Sequence, residues 1–286
     1  MGIPKLYLVA AILGTWMMTL SAAKPHTHLR VGTFNIRYDN SEDGINRWDQ
    51  RRDSVYHFLT EKEPDIIGLQ EVLHHQLQDL LTALPCYGYV GVGRDDGKTK
   101  GEYAPILYRK GKYDLLSGNT FWLSEHPDSV SRGWDAACIR IATWALLKDK
   151  LTGQKFFVLN THFDHIGTEA RRQSALLIIN KIQYIAGNYP ILLTGDLNIS
   201  DQREAYRTLT TNTFILKDTW KVALQKEGPE YTFQDFGKLP DSKREKIDFI
   251  FVTPQITVTH AEIISSALSN SIYLSDHNPH FADIEF

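Results

Sequence analysis

The chain is poor in cysteine, with only Cys86 and Cys138 in 286 residues, so a fold stapled by several disulfides is excluded. A single bridge between the two, or two buried free thiols, both remain open, because sequence alone does not set the distance between their Cα atoms. No excess of basic residues is present: Lys and Arg number 31 against 34 Asp and Glu, a formal charge of -3. Proteins that grip long nucleic acids through their phosphates usually present a basic surface, and this composition shows none. Repeats, low-complexity tracts and Pro-rich linkers are also missing, and no exposed apolar hairpin stands out to enter a membrane.

What is present begins with an amino-terminal segment, residues 1–23, that reads as an export signal. Lys5 is followed by an apolar run over 6–20 and by Ser21, Ala22 and Ala23. The run is shorter than the ~20 apolar residues a spanning helix needs, and no lipidatable Cys follows it. Removing the segment takes away Lys5 and moves the net charge from -3 to -4. Residues 24–286 are then expected to form one domain, a monomer exported to the periplasm or the exterior of a bacterium.

Within that stretch, short β-rich runs fall at 29–36, 66–70, 89–92, 106–108, 141–147, 156–161, 191–194, 247–252 and 281–286. These are too many for one small sheet. Leu73, Leu77, Leu80 and Leu84 recur at helical spacing, as do Ala175, Ile178, Ile182 and Ile185. Helices with one apolar stripe bury one face, so they belong outside sheets that pack on each other. The expected architecture is an α/β sandwich of four layers, two packed β-sheets flanked by helices.

Six places interrupt or end the apolar strands with short polar groups. They are Asn35 after Thr33 and Phe34, Glu71 after Gln70, Glu102 between Gly101 and Tyr103, the run from Asn160 to His165, Asp196 and Asn198 around Leu197, and Asp248 taken with Asp276 and His277. Strand alternation predicts that Asp196 and Asn198 point the same way. Hard cations such as Mg2+ choose oxygen ligands of this kind, although Asp and Asn can also simply cap a turn. Taken singly, Glu71 and Asn35 could equally be surface residues. His162 and His277 each have carboxylates close by in the sequence, and a His partnered by a carboxylate can act as base, acid or charge stabiliser.

In this order and spacing the six motifs resemble the endonuclease/exonuclease/phosphatase superfamily, over nearly the whole chain after the signal. Residues 101–106 and 133–137 further resemble a bacterial secreted branch. The resemblance implies two mixed sheets and a metal-dependent phosphoesterase that hydrolyses a phosphodiester or phosphomonoester by direct water attack. It leaves nucleic acid, sphingomyelin and inositol phosphates open as substrates, and a catalytically silent binding module as the alternative. It implies that Asn35 and Glu71 hold Mg2+ or Mn2+, with Asp276 completing that site or supporting it from behind. Asp196 would orient or deprotonate the water, Asn198 would bond a phosphoryl oxygen, and His277, held by Asp248, would contact the phosphate. His162 would protonate the leaving group with support from Glu102, and Arg140 would bind phosphate, an ordinary ion pair being the alternative.

Two further expectations concern the surroundings. Lys98, Lys100, Arg140, Arg171, Arg172, Lys243, Arg244 and Lys246 sit near the motifs and either steer an anion inward or are ordinary solvated charges. Trp48, Phe121, Trp122, Trp134, Phe163, Tyr231 and Phe233 are candidates to line a cleft, most of them expected in the core.

Overall fold

A computed structural model describes residues 1–2, 26–211, 216–268 and 271–286. The expected export signal lies outside the described residues except for its first two. Among the described residues, no helix is long and apolar enough to cross a membrane.

Two mixed sheets face each other. One runs in the order β10 (Gln225–Glu227), β12 (Thr257–Ile263), β13 (His280–Glu285), β1 (His28–Asn35), β2 (Ile66–Gln70), β4 (Ile106–Arg109), β3 (Tyr87–Val90). The other runs β5 (Tyr113–Trp122), β6 (Ile141–Asp149), β7 (Lys155–His162), β8 (Ile191–Asp196), β11 (Asp248–Val252), β9 (Lys217–Asp218). Strands β1 and β2 are parallel and joined through helix α1 (Trp48–Lys62); β7 and β8 are parallel and joined through α3 (Thr168–Ile185). Parallel neighbours need such crossovers, and these cover the outer faces.

Period-two alternation assigns the side chains. Phe34, Ile67 and Leu69 point outward to meet Val55, Phe58 and Leu59 of α1 and Leu77 and Leu80 of α2 (His74–Ala83). On the other side Phe157, Leu159, Leu193 and Phe251 pack under Ile178 and Ile182 of α3. The inward faces share a third cluster that includes Val31, Ile66, Val158, Leu192 and Ile250. Each of these, fully buried, contributes about 1.5–3 kcal/mol.

The inward faces change character along the strands. From one end to the other, β1 carries Val31, Thr33 and Asn35; β2 carries Ile66, Gly68 and Gln70; β7 carries Val158, Asn160 and His162; β8 carries Leu192, Thr194 and Asp196. Midway, Gln70 Nε2 donates to Thr33 Oγ1 at 3.0 Å and to Asn160 Oδ1 at 2.7 Å, and Thr194 Oγ1 donates to the same Asn160 oxygen at 3.0 Å. Gly68 is required at this level, since a Cβ there would lie 2.2 Å from Thr194 Oγ1 and 2.4 Å from Asn160 Oδ1. The polar half of the inter-sheet layer therefore leads from a hydrogen-bonded network, in which Gln70 Oε1 alone lacks a partner, to the charged strand ends.

The expected sandwich is observed, with several elements beyond those read from the sequence. Strand β3 starts two residues earlier than 89–92, at Tyr87. Strand β5 is an edge strand whose middle, Asp114–Asn119, is exposed, so it shows no apolar alternation. Helix α1 escapes periodicity because a buried Arg51 stands in its apolar stripe. Both cysteines are free, Cys86 exposed and Cys138 half-buried, so neither expectation for the pair is met in full.

Candidate active site

Sheet pairing brings the strand-end groups into one row. Asp196 ends β8, where it pairs with His162 of β7 on one side and Asp248 of β11 on the other. Asn35, the last residue of β1, reaches across the gap between the sheets: its Nδ2 donates to Asp196 Oδ2 at 3.0 Å and to Glu71 Oε1 at 3.1 Å. Glu71 follows β2 in the left-handed region at φ 61°, which turns its carboxylate into the gap. Asp276 and His277 arrive on the loop before β13, tied down by Ser275 Oγ, which donates to the Asn35 carbonyl at 2.6 Å. These residues, apart from the fully buried Asn35, Asp248 and Ser275, line a single cleft of about 980 Å³, along with Glu102, Arg140 and Asn198.

His277 Nδ1 lies 2.8 Å from Asp248 Oδ2, and its Nε2 is 3.7 Å from Asp196 Oδ2. Burial on its own lowers the imidazole's proton affinity. The carboxylates of Asp248 and Asp196, reinforced by the Asp248 hydrogen bond, outweigh that and raise it to about 10. The ring is thus an imidazolium at neutral pH, donating through Nδ1 to Asp248 and presenting Nε2–H to the cleft. Asp196 has its proton affinity raised, first by burial and then by Asp248, which suits it to take a proton. His162 is the opposite case: burial, with Arg140 and Arg94 nearby, holds it well below the ordinary imidazole range and therefore neutral.

Asn198 does not reach the cleft by strand alternation. β8 ends at Asp196, and Asn198 adopts φ 50°, with its backbone N–H donating to Asp196 Oδ1 at 2.9 Å. The two side chains converge through this tight turn, while Leu197 is buried between them. The Asn198 amide then lies 3.1 Å from His162 Nε2.

A hard cation fits one side of the cleft. Glu71 and Asp276 offer only oxygen. Asn35 turns Nδ2 to the carboxylates and its Oδ1 accepts from the Arg37 N–H at 3.0 Å, so its oxygen joins a cation only once the amide rotates. The Asp276 carboxyl is raised in proton affinity, by burial foremost and also by Glu71, as expected of like charges brought together without full compensation. A second carboxylate group, Asp196, Asp248 and His277, has ligand atoms within 4.8 Å of one another. Its imidazole Nδ1 is already engaged with Asp248 at 2.8 Å, which leaves this cluster fewer free ligand atoms than the carboxylates of Glu71 and Asp276. Cys138, Asp164 and His165 also approach each other, yet Asp164 is occupied by the backbone N–H groups of Ala137, Cys138, Ile166 and Gly167 and faces Arg140 at 3.6 Å.

Three arginines with a part in the site were not singled out from the sequence. Arg37 Nη1 lies 3.7 Å from Asp276 and 4.0 Å from Glu71, partly neutralising the cation wall. Arg51, fully buried in α1, donates to the carbonyls of Ile36, Arg37, Asn46 and Leu274, which locks the loop after Asn35 to the loop before Asp276. Arg94 Nη1 donates to Glu102 Oε2 at 2.7 Å. Glu102 therefore does not support His162 as expected; His162 Nδ1 is buried without a partner. Arg140 is buried rather than a surface ion-pair residue.

Of the other basic residues expected here, Lys243 lines the cleft. Arg172 and Arg244 pair with Glu169 and Asp241, and Lys246 turns into a neighbouring cleft against Asp218. Lys98, Lys100 and Arg171 do not line it. Among the aromatic candidates Phe233 does, packed on the His277 ring at 5.0 Å, whereas Trp48, Phe121, Trp122 and Phe163 are core.

The sequence profile described as the endonuclease/exonuclease/phosphatase family matches residues 32–277, which takes in every one of these groups. The chain belongs to that family. Its members hydrolyse phosphate esters and typically depend on a divalent metal. An endonuclease/exonuclease/phosphatase from Bacteroides vulgatus is 57% identical with a TM-score of 0.88, covering 91% of this chain and 99% of that one. A Bacteroides thetaiotaomicron mannosyl-6-phosphatase is 36% identical with a TM-score of 0.85, covering 90% and 100%. An uncharacterized protein of Acanthamoeba polyphaga mimivirus is 31% identical over 59% of this chain; the match spans 66% of the viral protein's length, just under two thirds.

Proposed function

We propose that this protein hydrolyses the phosphate monoester of a compact, hydroxyl-bearing alcohol, a sugar phosphate, by direct attack of water. The observation that carries the reading is the charged His277–Asp248 pair meeting Asp196 within one cleft, across from Asn35 and Glu71. Glu71, Asn35 and Asp276 would hold a divalent cation, Mg2+ or Mn2+. When bound, that cation neutralises charge on the phosphate ester.

The chain's own residues supply the rest. Asp196 takes a proton from the attacking water. His277 presents Nε2–H to a phosphoryl oxygen, its ring fixed by Asp248, and Asn198 adds an amide donor where negative charge develops. His162 faces the leaving oxygen; a bound phosphate dianion works against the burial that keeps the ring neutral and lets it carry the leaving-group proton. Arg140 gives a further fixed positive charge. In the same proposal, residues 1–23 direct the protein out of the bacterial cytoplasm.

A sugar phosphate is favoured over a polynucleotide by two features. The formal charge is -3, and each of the two Phe or Tyr rings lining the cleft has one neighbour against it, Arg37 on Tyr38 and His277 on Phe233, which reduces the surface on which a base stacks. The likeness to a mannosyl-6-phosphatase points the same way. The test is release of phosphate from mannose 6-phosphate, bis-p-nitrophenyl phosphate and an oligonucleotide with Mg2+ or Mn2+, with and without chelator. Metal-dependent turnover fastest on the monoester is expected. Turnover that ignores the chelator, or an oligonucleotide cut faster than the monoester, overturns the reading.

A further inference from the structure

We infer that Arg94, Glu102 and Arg140 form a subsite that recognises neighbouring hydroxyls on the leaving alcohol and so decides which monoester is cleaved. The inference rests on the monoester-hydrolase reading above. All three side chains line the same cleft as His277 and Asp196. Glu102 accepts from Arg94 at 2.7 Å and stands 4.0 Å from Arg140 Nη1, so acceptor and donors are presented side by side.

Part of the bonding capacity of this group is left unspent. Arg94 Nε and Arg140 Nε face Asp95 and Asp164 at 3.6 Å without forming hydrogen bonds, and Arg140 Nη1, buried beside Glu102 at 4.0 Å, has no hydrogen-bond partner. Buried donors in folded proteins are ordinarily paired, and those that are not call for a ligand or a water. Burial, with Glu71 adding to it, also raises the proton affinity of Glu102 despite the two arginines. An acceptor on the incoming ligand for Arg140 and a donor for Glu102 would relieve both conditions.

Ligand chemistry follows from the mixture of charges. A second phosphate would meet the Glu102 carboxylate and be repelled. An apolar alcohol would cover the buried donors without pairing them. A neutral group that both gives and takes hydrogen bonds satisfies carboxylate and guanidinium together, and two such groups on adjacent carbons match a carboxylate beside a planar guanidinium.

The subsite is also built in advance. Arg94 N–H donates to the Glu102 carbonyl at 3.1 Å, and Trp122 Nε1 donates to the Arg94 carbonyl at 2.8 Å. Gly93 lies so close to this strap that a Cβ would sit 2.3 Å from the Lys100 carbonyl oxygen. A rigid support of this kind means little ordering is left to occur on binding.

The test compares mannose 6-phosphate with propyl phosphate, whose leaving group is also a primary alcohol but carries no neighbouring hydroxyls. In the metal-loaded wild type, kcat/KM should favour the sugar ester by about 10² or more, as sites that pair hydroxyls reject analogues lacking them. In Glu102→Gln, which keeps the shape, and in Arg94→Met, that preference should fall at least about tenfold, with KM for the sugar ester rising more than its kcat falls. A wild type that cleaves propyl phosphate as well as the sugar ester overturns the subsite and leaves the hydrolase reading standing. Variants that slow both esters in equal proportion overturn it too, because Glu102 would then act on the chemistry. Failure to cleave either ester removes the hydrolase reading and the subsite with it.

Discussion

The two halves of the layer between the sheets are made from the same strands and obey opposite rules. In the apolar half, Val31, Ile66, Val158, Leu192 and Ile250 interlock, and a change there is a change of volume. In the polar half, Thr33, Gln70, Asn160 and Thr194 bond to one another with only Gln70 Oε1 left over, and one step further like charges crowd together and His162 Nδ1 has no partner. Stability is concentrated in the first half. Unspent bonding capacity is concentrated in the second, as expected where a protein sets a site against its own stability.

Substitutions can separate the halves. The largest effect belongs to the charged ends: Glu71→Gln or His277→Ala should lower turnover by about 10²–10⁴ while the thermal midpoint moves little. Normal turnover in either variant would dissolve the distinction. Arg51→Met comes next, because it strands carbonyls of Ile36, Arg37, Asn46 and Leu274; denaturant titration should show a loss of about 3–5 kcal/mol, with activity falling as the two loops separate. Gly68→Ala forces a methyl group into the Asn160–Thr194 contact and should cost about 1–3 kcal/mol.

The smallest effect concerns acid. His280 is fully buried with no well-formed hydrogen bond at either ring nitrogen, and burial, with Lys246 nearby, outweighs the opposing Asp248 backbone contact and holds its proton affinity well below the ordinary value of 6.5. Its depressed folded value means the unfolded chain binds the proton more readily. The stability it permits is complete above pH 6.5 and is lost as the pH falls below that. His280→Leu should therefore lose less stability than the wild type between pH 7 and pH 5; an identical loss would remove His280 as a source of acid sensitivity.

How much of this was legible in the sequence depends on the range of the interaction. Strand ends are local features, so Asn35, Glu71 and Asp196 could be picked out where polar residues end apolar runs and Asp248 where one begins, while His277 stood out by its neighbouring acid, Asp276. Their convergence on one cleft required both sheets. Asn198 was placed with Asp196 for the wrong geometric reason, because a left-handed turn imitates strand alternation in outcome. Arg51 was invisible because periodicity assigns an arginine to the solvent face, while its four carbonyl partners are scattered from Ile36 to Leu274. The pairing of Glu102 with Arg94, eight residues earlier, depends on a strap whose closure no residue pattern announces.

Cation binding tests the division of labour most directly, since the two carboxylate groups face each other across one cleft. Titrating Mn2+ into the wild type, Glu71→Gln and Asp248→Asn should give one site in the wild type, weakened at least about tenfold by Glu71→Gln and far less by Asp248→Asn, given that loss of a ligand costs more than loss of a group that only orients. Binding that survives Glu71→Gln but disappears in Asp248→Asn would put the cation on the wrong wall and contradict the account.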